Sequence, residues 1–356
     1  MSINPSTPII YNKQIIIAGP CSVESREQVL ETAQLLAKNE RIGLLRAGIW
    51  KPRTTPNGFE GVGTKGLGWL AEAKELTGLP IATEVATPKH VEDALHFGVD
   101  VLWIGARTSV NPFSVQAIAD ALRGTDIPIL IKNPVNPDIN LWAGAVERLA
   151  AASIKHIGLI HRGFSTYETG IYRNNPLWQI PIQIKRNYPE LPMICDPSHI
   201  SGNTSLIPRV AQHAIDLDFN GLMIESHFNP SQALTDKAQQ LTPLELNELI
   251  EALNWKATSD NTKHFNQHLT EYREEINQID DKLIKLMASR MHYAKQIGEL
   301  KQEHGVTILQ EDRWKSVISR LVNTGKVHDL NATFIEDLMD LVHNESIRLQ
   351  GQLIPS

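Results

Sequence analysis

The feature that most narrows the fold is an alternation repeated eight times within the first 225 residues. Short runs rich in Ile, Val and Leu fall at residues 14–18, 43–46, 81–84, 101–105, 129–132, 158–162, 193–195 and 221–225. Helix-length segments separate them, among them 26–39, 65–77, 88–96 and 113–123, and another at 203–213 follows the loop after the seventh run. Near-continuous apolar strands belong to a sheet covered on both faces, and eight strand–helix units close into a (β/α)8 TIM barrel. The competing open, doubly wound sheet would carry a Gly-rich dinucleotide turn after its first strand. Here that strand runs into AGPCSVES, which has no GxGxxG. An α/β barrel is the expected fold.

Chemistry in such barrels sits at the C-terminal ends of the strands. Reading the residue at or just past each end gives Cys21, Arg46, Glu84, Arg107, Lys132, Arg162, His199 and Glu225. Buried charges are costly unless paired, so a purely structural barrel would not direct four cations to one mouth. The stretch 44–56, LLRAGIWKPRTTP, adds Lys51 and Arg53 in a loop stiffened by Pro52, an arrangement suited to an anion. Six cations exceed the needs of one phosphate, and two phosphorylated substrates are the natural expectation.

Cys21, His199, Glu225 and Asp236 form a mixed S/N/O set that suits several divalent metals and selects none strongly. Cys195 is a rival ligand, but it lies within its strand and is expected to fill the barrel. A Schiff-base aldolase would need one desolvated Lys. Lys132 is the only strand-end candidate, and among so many cations its amine can serve as a charge.

The net charge of −6 argues against nucleic acid as the main partner and makes the local cationic clusters more informative. Two cysteines are too few for a disulfide scaffold. No apolar run approaches the roughly 18 residues of a membrane span, and residues 1–13 lack a cationic region followed by an apolar one. A cytoplasmic, reduced protein is expected.

Composition changes after 242–253, which reads as the eighth barrel helix. The polar stretch KATSDNT reads as a linker, which suggests a barrel over 1–255, a linker over 256–263 and a small all-α domain over 264–356. Leu269, Ile276, Ile279, Leu283, Leu286, Ala294, Ile297 and Leu300 recur at helical spacing. A helix over 266–303 would be about 57 Å long, and two shorter helices are expected at 312–322 and 331–350. Arg290 and Lys301 share a face roughly 16 Å apart and bracket a small dianion. Arg273 lies roughly 42 Å from Lys301 along that helix. It is either solvated or completes the site of a second chain, which would make an intertwined homodimer. Ser346 and Gln350 form an i,i+4 polar pair on the last helix.

The fragments GPCSVES, LRAGIWKPRTTP, ATEV, IGART, KNP, HRG, CDPSHISGN and GLMIESHFNP resemble the 3-deoxy-D-arabino-heptulosonate 7-phosphate (DAHP) synthases, in their compact type I-beta form. The related octulosonate 8-phosphate synthases carry a KANR-type run where KPRT stands here. The resemblance implies condensation of phosphoenolpyruvate with erythrose 4-phosphate. It implies one divalent metal, Mn2+ foremost with Zn2+, Fe2+ or Co2+ as alternatives, held by Cys21, His199, Glu225 and Asp236, and no organic cofactor. It places Arg46, Lys51, Arg107, Lys132 and Arg162 on phosphoenolpyruvate and Lys51, Pro52, Arg53 and Thr54 on erythrose 4-phosphate. Lys51, Glu84 and His199 fall among the catalytic residues.

Residues 269–350, with REEINQID, KLIKLMASR and IGELK, resemble the all-helical type II chorismate mutases. The implied binding residues are Arg273, Arg290, Lys301, Arg313, Ser346 and Gln350, with Lys301 and Gln350 serving the ether oxygen of chorismate. Gln310 and Trp314 depart from that pattern, standing where the family often has acids that contact the substrate's ring hydroxyl. The chain is thus expected to be a bifunctional enzyme. The alternatives are a synthase whose helical module dimerises and senses prephenate or chorismate, and another enzyme condensing phosphoenolpyruvate with a sugar.

Overall fold

A computed structural model describes residues 8–51, 58–167, 170–256 and 263–352. The chain divides into two compact units, Met1–Thr258 and Ser259–Ser356.

In the first unit eight parallel strands close a barrel in sequence order. They are β1 (Ile15–Gly19), β2 (Ile42–Arg46), β3 (Ile81–Val85), β4 (Val101–Ile104), β5 (Ile129–Lys132), β6 (Ile157–His161), β7 (Met193–Cys195) and β8 (Gly221–Glu225). Around them run α1 (Arg26–Leu36), α2 (Lys65–Thr77), α3 (Pro88–His96), α4 (Pro112–Ala121), α5 (Ile139–Ala151), α6 (Gln179–Asn187), α7 (Pro197–Ser201), α8 (Ile207–Asp216) and α9 (Pro243–Ala252). The starts of four helices are written locally: Thr87, Asn111, Asp196 and Thr242 each cap a helix whose first turn holds a Pro.

Successive strand side chains face opposite sides, and that parity delivers the site. Ile17, Leu44, Ala82, Trp103, Leu130, Ile160, Ile194 and Met223 fill the barrel interior, above a turn at Ile9–Tyr11 whose Ile10 joins the same cluster. Two residues beyond six of these positions stand Arg46, Glu84, Lys132, Arg162, Asp196 and Glu225. Intervening residues such as Ile16, Leu45, Ile131 and Leu222 pack in the layer with the surrounding helices.

Cys195 belongs to that outer layer, which corrects the expectation that it fills the barrel. Its neighbours Ile194 and Asp196 take the inward phase. The helix expected at 203–213 opens as a 3-10 turn at Thr204–Leu206 and continues as α8 to Asp216, and an unexpected short helix, α7, precedes it. Asp196 and Pro197 start a helix early, and Gly202 at φ +73° stops it.

The second unit is three helices: α10 (Lys263–Glu303), α11 (Glu311–Val327) and α12 (Ala332–Gly351). At 41 residues α10 is about 61 Å long. It starts three residues before the expected 266, inside the stretch expected to be linker. α11 runs five residues past the expected 322 because Gly325 stays helical. A Cβ there would lie 1.8 Å from Ile335 Cδ1, so this Gly lets α12 pack against α11.

Candidate active sites

At the mouth of the barrel the charged ends of the strands meet one another. Glu225 is fully buried and accepts from Arg46 Nη1 at 2.9 Å and Gln239 Nε2 at 2.7 Å. Arg46 Nη2 donates to the Cys21 carbonyl at 3.0 Å, and the guanidinium lies 5.1 Å from the Trp103 ring. Arg46 is therefore held behind the cavity, braced by its neighbours. Lys132 donates to Asp196 at 2.8 Å. Asp196 Oδ2 also stands 2.8 Å from His199 Nδ1, a close contact not aligned as a hydrogen bond. Arg162 Nη1 donates to Asn174 at 2.7 Å, and its backbone N–H to Asn133. Trp103 Nε1 donates to Glu84 at 2.9 Å, and Gly105 leaves the space this carboxylate occupies, since a Cβ there would lie 2.1 Å from Glu84 Oε1.

Three of the four expected metal ligands form one group. The Cys21 thiol, a Glu225 oxygen and an Asp236 oxygen all lie within 4.8 Å of one another. Cys21 Sγ is 3.2 Å from Asp236 Oδ2 and 3.0 Å from Lys51 Nζ. His199 Nε2 approaches the group 3.7 Å from Glu225 Oε1. Asp236 adopts the left-handed region at φ +44°, a conformation that a short acidic side chain tolerates and that often marks functional sites.

Burial, reinforced by Glu225, pushes the Cys21 thiol up to about 12. Burial also opposes ionisation of Asp236, but the charges of His199, Arg173 and Lys51 outweigh it and hold the carboxyl well below its ordinary range. Glu225 is likewise held down against burial, by His199 and Arg46. Two ready carboxylates beside a thiol that needs a cation to ionise fit a divalent metal.

The cavity above this group, about 70 Å³, is lined by Lys51, Arg107, Lys132, Arg162 and Arg173 against Glu84 and Asp236, with His199 at its wall. Five cations to two carboxylates make an anion site. Pro52, Arg53 and Thr54 lie outside the described residues; of that loop Lys51 is described. Sequence reasoning missed Asp196, Arg173 and Gln239. Asp196 was readable, two positions beyond the inward Ile194. Arg173, which donates to Asp236 at 3.0 Å and Gln239 at 2.7 Å, and Gln239 itself sit in loops whose paths no strand pattern encodes.

The helical unit has its own cavity, of about 320 Å³. Arg290, Lys301, Arg313, Ser346 and Gln350 line it, with no Asp or Glu among its lining residues. Arg290 Nη1 donates to Ser346 Oγ at 2.6 Å, and Lys301 Nζ to the Ile308 carbonyl at 2.6 Å. Gln350 Oε1 is buried without a partner. Arg273 is exposed and is not brought to this cavity. Trp314 and Gln310 line it too. The Trp314 indole stacks on His343, another lining residue missed in the sequence, with ring centroids 3.9 Å apart and planes 10° apart.

The first unit thus has the fold and site of a barrel enzyme that binds anions around a metal-competent cluster. The family model described as DAHP synthetase I family matches residues 9–263, and the one described as chorismate mutase type II matches residues 272–351. The chain belongs to the DAHP synthetase I family and carries a chorismate mutase type II module.

Among curated proteins it is 33% identical over 238 residues to the phospho-2-dehydro-3-deoxyheptonate aldolase of Thermotoga maritima, covering 67% of this chain and 68% of that protein. It is 28% identical over 239 residues to a 2-dehydro-3-deoxyphosphooctonate aldolase of Nitratidesulfovibrio vulgaris, covering 63% and 85%. Among solved structures, the DAHP synthase of Thermotoga maritima matches with a TM-score of 0.60 at 32% identity, covering 67% of each chain. A truncated form of the Thermotoga maritima enzyme matches with a TM-score of 0.58 at 30% identity, covering 67% of this chain and 84% of that one.

Proposed function

We propose that the barrel condenses phosphoenolpyruvate with erythrose 4-phosphate, giving DAHP and phosphate, and that the helical module rearranges chorismate to prephenate. The observation that carries the first activity is the surplus of cations directly above the Cys21, Glu225 and Asp236 group.

Arg107, Lys132 and Arg162 hold the carboxylate and phosphate of phosphoenolpyruvate. Lys51, with the loop that follows it, holds the sugar phosphate. Fixing two mutually repelling phosphates in one orientation removes most of the entropic barrier. C3 of the enol phosphate then attacks the aldehyde carbon, and the Lys51 ammonium protonates the aldehyde oxygen. Water adds at C2, and phosphate leaves as the C2 carbonyl forms. A divalent cation, Mn2+ foremost, held by Cys21, His199, Glu225 and Asp236 would supply Lewis-acid polarisation of the aldehyde. Glu84, held by Trp103, stands as the site acid. Arg46 serves from behind by fixing Glu225 and the Cys21 backbone.

In the module, Arg290 and Arg313 bind the substrate's carboxylates, Ser346 fixes Arg290, and Lys301 and Gln350 face the ether oxygen as charge develops there. Arg273 of a second copy completes the clamp in a homodimer formed through the helical unit, whose exposed apolar face supports that assembly. No described helix is long and apolar enough to cross a membrane, and we place the enzyme in the cytoplasm, with domains dividing near 256–263.

Paired assays on the intact protein test this. Phosphate release is followed with phosphoenolpyruvate and a panel of aldose phosphates, and chorismate loss by its ultraviolet absorbance. Erythrose 4-phosphate should be the best acceptor and chorismate should be consumed. A better five-carbon acceptor would overturn the first assignment, and stable chorismate the second.

A further inference from the structure

Trp50 immediately precedes Lys51, and its indole lies flat on the imidazole of His90, with centroids 3.8 Å apart and planes 2° apart. His90 stands in the first turn of α3, and its Nδ1 accepts from the Ala86 backbone N–H at 3.3 Å. That bond leaves the proton on Nε2 of a neutral ring and fixes the ring's rotation. Ala86 is two residues past Glu84, so the stack joins the end of β3 to the loop leaving β2.

The inner side of the same loop is already tied down. Ser22 bridges to Gly48, and Val23 N–H donates to the Gly48 carbonyl at 2.9 Å. A Cβ on Gly48 would lie 2.9 Å from the Cys21 carbonyl, and one on Gly61 would lie 2.0 Å from the Ile49 carbonyl. Lys51 N–H donates to the Glu60 carbonyl at 2.8 Å, closing the neck of the loop. These contacts fix residues 48, 49 and 51 through their backbones. At residue 50 the indole edge packs against the apolar layer between barrel and helices, and its face is tied to α3 by the ring contact with His90.

We propose that His90 is a positioning residue for the barrel reaction: its ring, stacked on Trp50, fixes the segment that sets the Lys51 ammonium against Cys21 and the cavity. The stack is a matter of shape and π-face, so any flat aromatic ring of similar size can supply it. Partial burial keeps His90 neutral, against the pull of Asp93 and Glu84 toward the charged form. The contact is thus the same across the neutral pH range.

The inference rests on the condensation reading for its rate measurement but not for its labelling measurement. His90→Ala should lower kcat/KM for the condensation about ten-fold, the order expected when a reacting group shifts by a fraction of an ångström. His90→Phe should stay within about two-fold of the parent, since it keeps the ring. Chorismate turnover by the same preparations should not change, which separates a local effect from general misfolding. Labelling with an amine acetylating reagent, read by peptide mass spectrometry, should modify Lys51 several times faster in His90→Ala than in the parent or in His90→Phe. Parent-like rate and labelling in His90→Ala would overturn the proposal. So would a His90→Phe protein as impaired as His90→Ala, because the nitrogen and not the ring would then carry the effect. A parent protein without condensation activity would sink the functional reading and leave the labelling result to decide this one.

Discussion

The two units solve one problem, holding a small polyanion with cations, by opposite means. In the barrel the deepest charges, beneath the exposed Arg107 and Arg173, are buried and paired in advance: Arg46 with Glu225, and Lys132 with Asp196. In the helical unit Arg290 and Lys301 are half-buried and Arg313 is exposed, none of them ion-paired across the cavity among the described residues. That cavity is more than four times larger and has no Asp or Glu among its lining residues. The apolar surface divides the same way. Among the described residues, 6 large apolar side chains are exposed in the barrel unit and 16 in the smaller helical one, where Ala294 and Ile335 are the buried apolar residues. A closed sheet finishes a site within one chain. The three helices enclose little interior, and Ile276, Ile279, Leu283 and Leu286 at i, i+3, i+7 and i+10 on α10 form an exposed apolar face, the one on which the proposed dimer rests.

That contrast requires the two chemistries to fail independently. Cys21→Ala removes the thiol around which the barrel cluster is arranged and should cut condensation by at least about 10³-fold, the scale of losing a pre-organised electrostatic group. Chelation should do the same reversibly, and neither should touch chorismate turnover. Joint loss of both activities would break the comparison. Arg290→Ala is the reciprocal test. It deletes a carboxylate clamp and removes the guanidinium that donates to Ser346 Oγ, for an expected loss of about 10²-fold in mutase kcat/KM, with condensation unchanged. Leu283→Glu sharpens the assembly half. The substitution places one charge per copy on the α10 face and should raise the dimer dissociation constant by about 10²-fold or more, given roughly 1.5–3 kcal/mol for each buried Leu. Sedimentation should show monomer, and mutase rate should fall on dilution as Arg273 is withdrawn. A variant that remains dimeric and fully active would assign that face elsewhere.

What was legible in the sequence follows the same division. Strand runs and their charged ends were readable because a period of two carries each interior column from an apolar residue to a functional one, as in Leu44 to Arg46 and Leu130 to Lys132. The same parity, applied at β7, would have found Asp196 and turned Cys195 outward. Arg173 and Gln239 were not readable, because a loop's return path depends on what it packs against. Neither were the two His–Trp stacks, Trp50 with His90 and Trp314 with His343, whose partners are 40 and 29 residues apart. In the helical unit the periodicity showed the helices and their apolar face. It also showed that Arg273 cannot reach Lys301 along one rod, which is an argument about a second chain that a single chain leaves open.

Two histidines, His161 fully buried and His343 half-buried, carry the comparison into stability. His161, at the end of β6, takes the outward phase and packs among Phe164, Trp178 and Phe219 with neither ring nitrogen hydrogen-bonded. Burial, helped by the adjacent Arg162, pushes it from an ordinary value near 6.5 down to about 3. His343 in the helical unit is also lowered by burial, but it keeps more contact with water. A depressed His means that between those two pH values the unfolded chain binds a proton that the folded barrel refuses. Stability is therefore complete above about pH 6.5 and drains away as pH falls toward 3. At pH 5 the loss from this one residue is about 2 kcal/mol. Six of the seven tryptophans lie in the barrel unit, so indole fluorescence during urea unfolding reports chiefly on that unit. The parent should unfold at clearly lower urea at pH 5 than at pH 8. His161→Phe fills the same aromatic site without a titrating nitrogen and should lose about 2 kcal/mol less over that interval, whatever its stability at pH 8. Equal acid sensitivity in parent and variant would move the barrel's weakness in acid from this ring to the carboxylates of its mouth, which are held in the ionised form by their cations and must be protonated for the pairs to break.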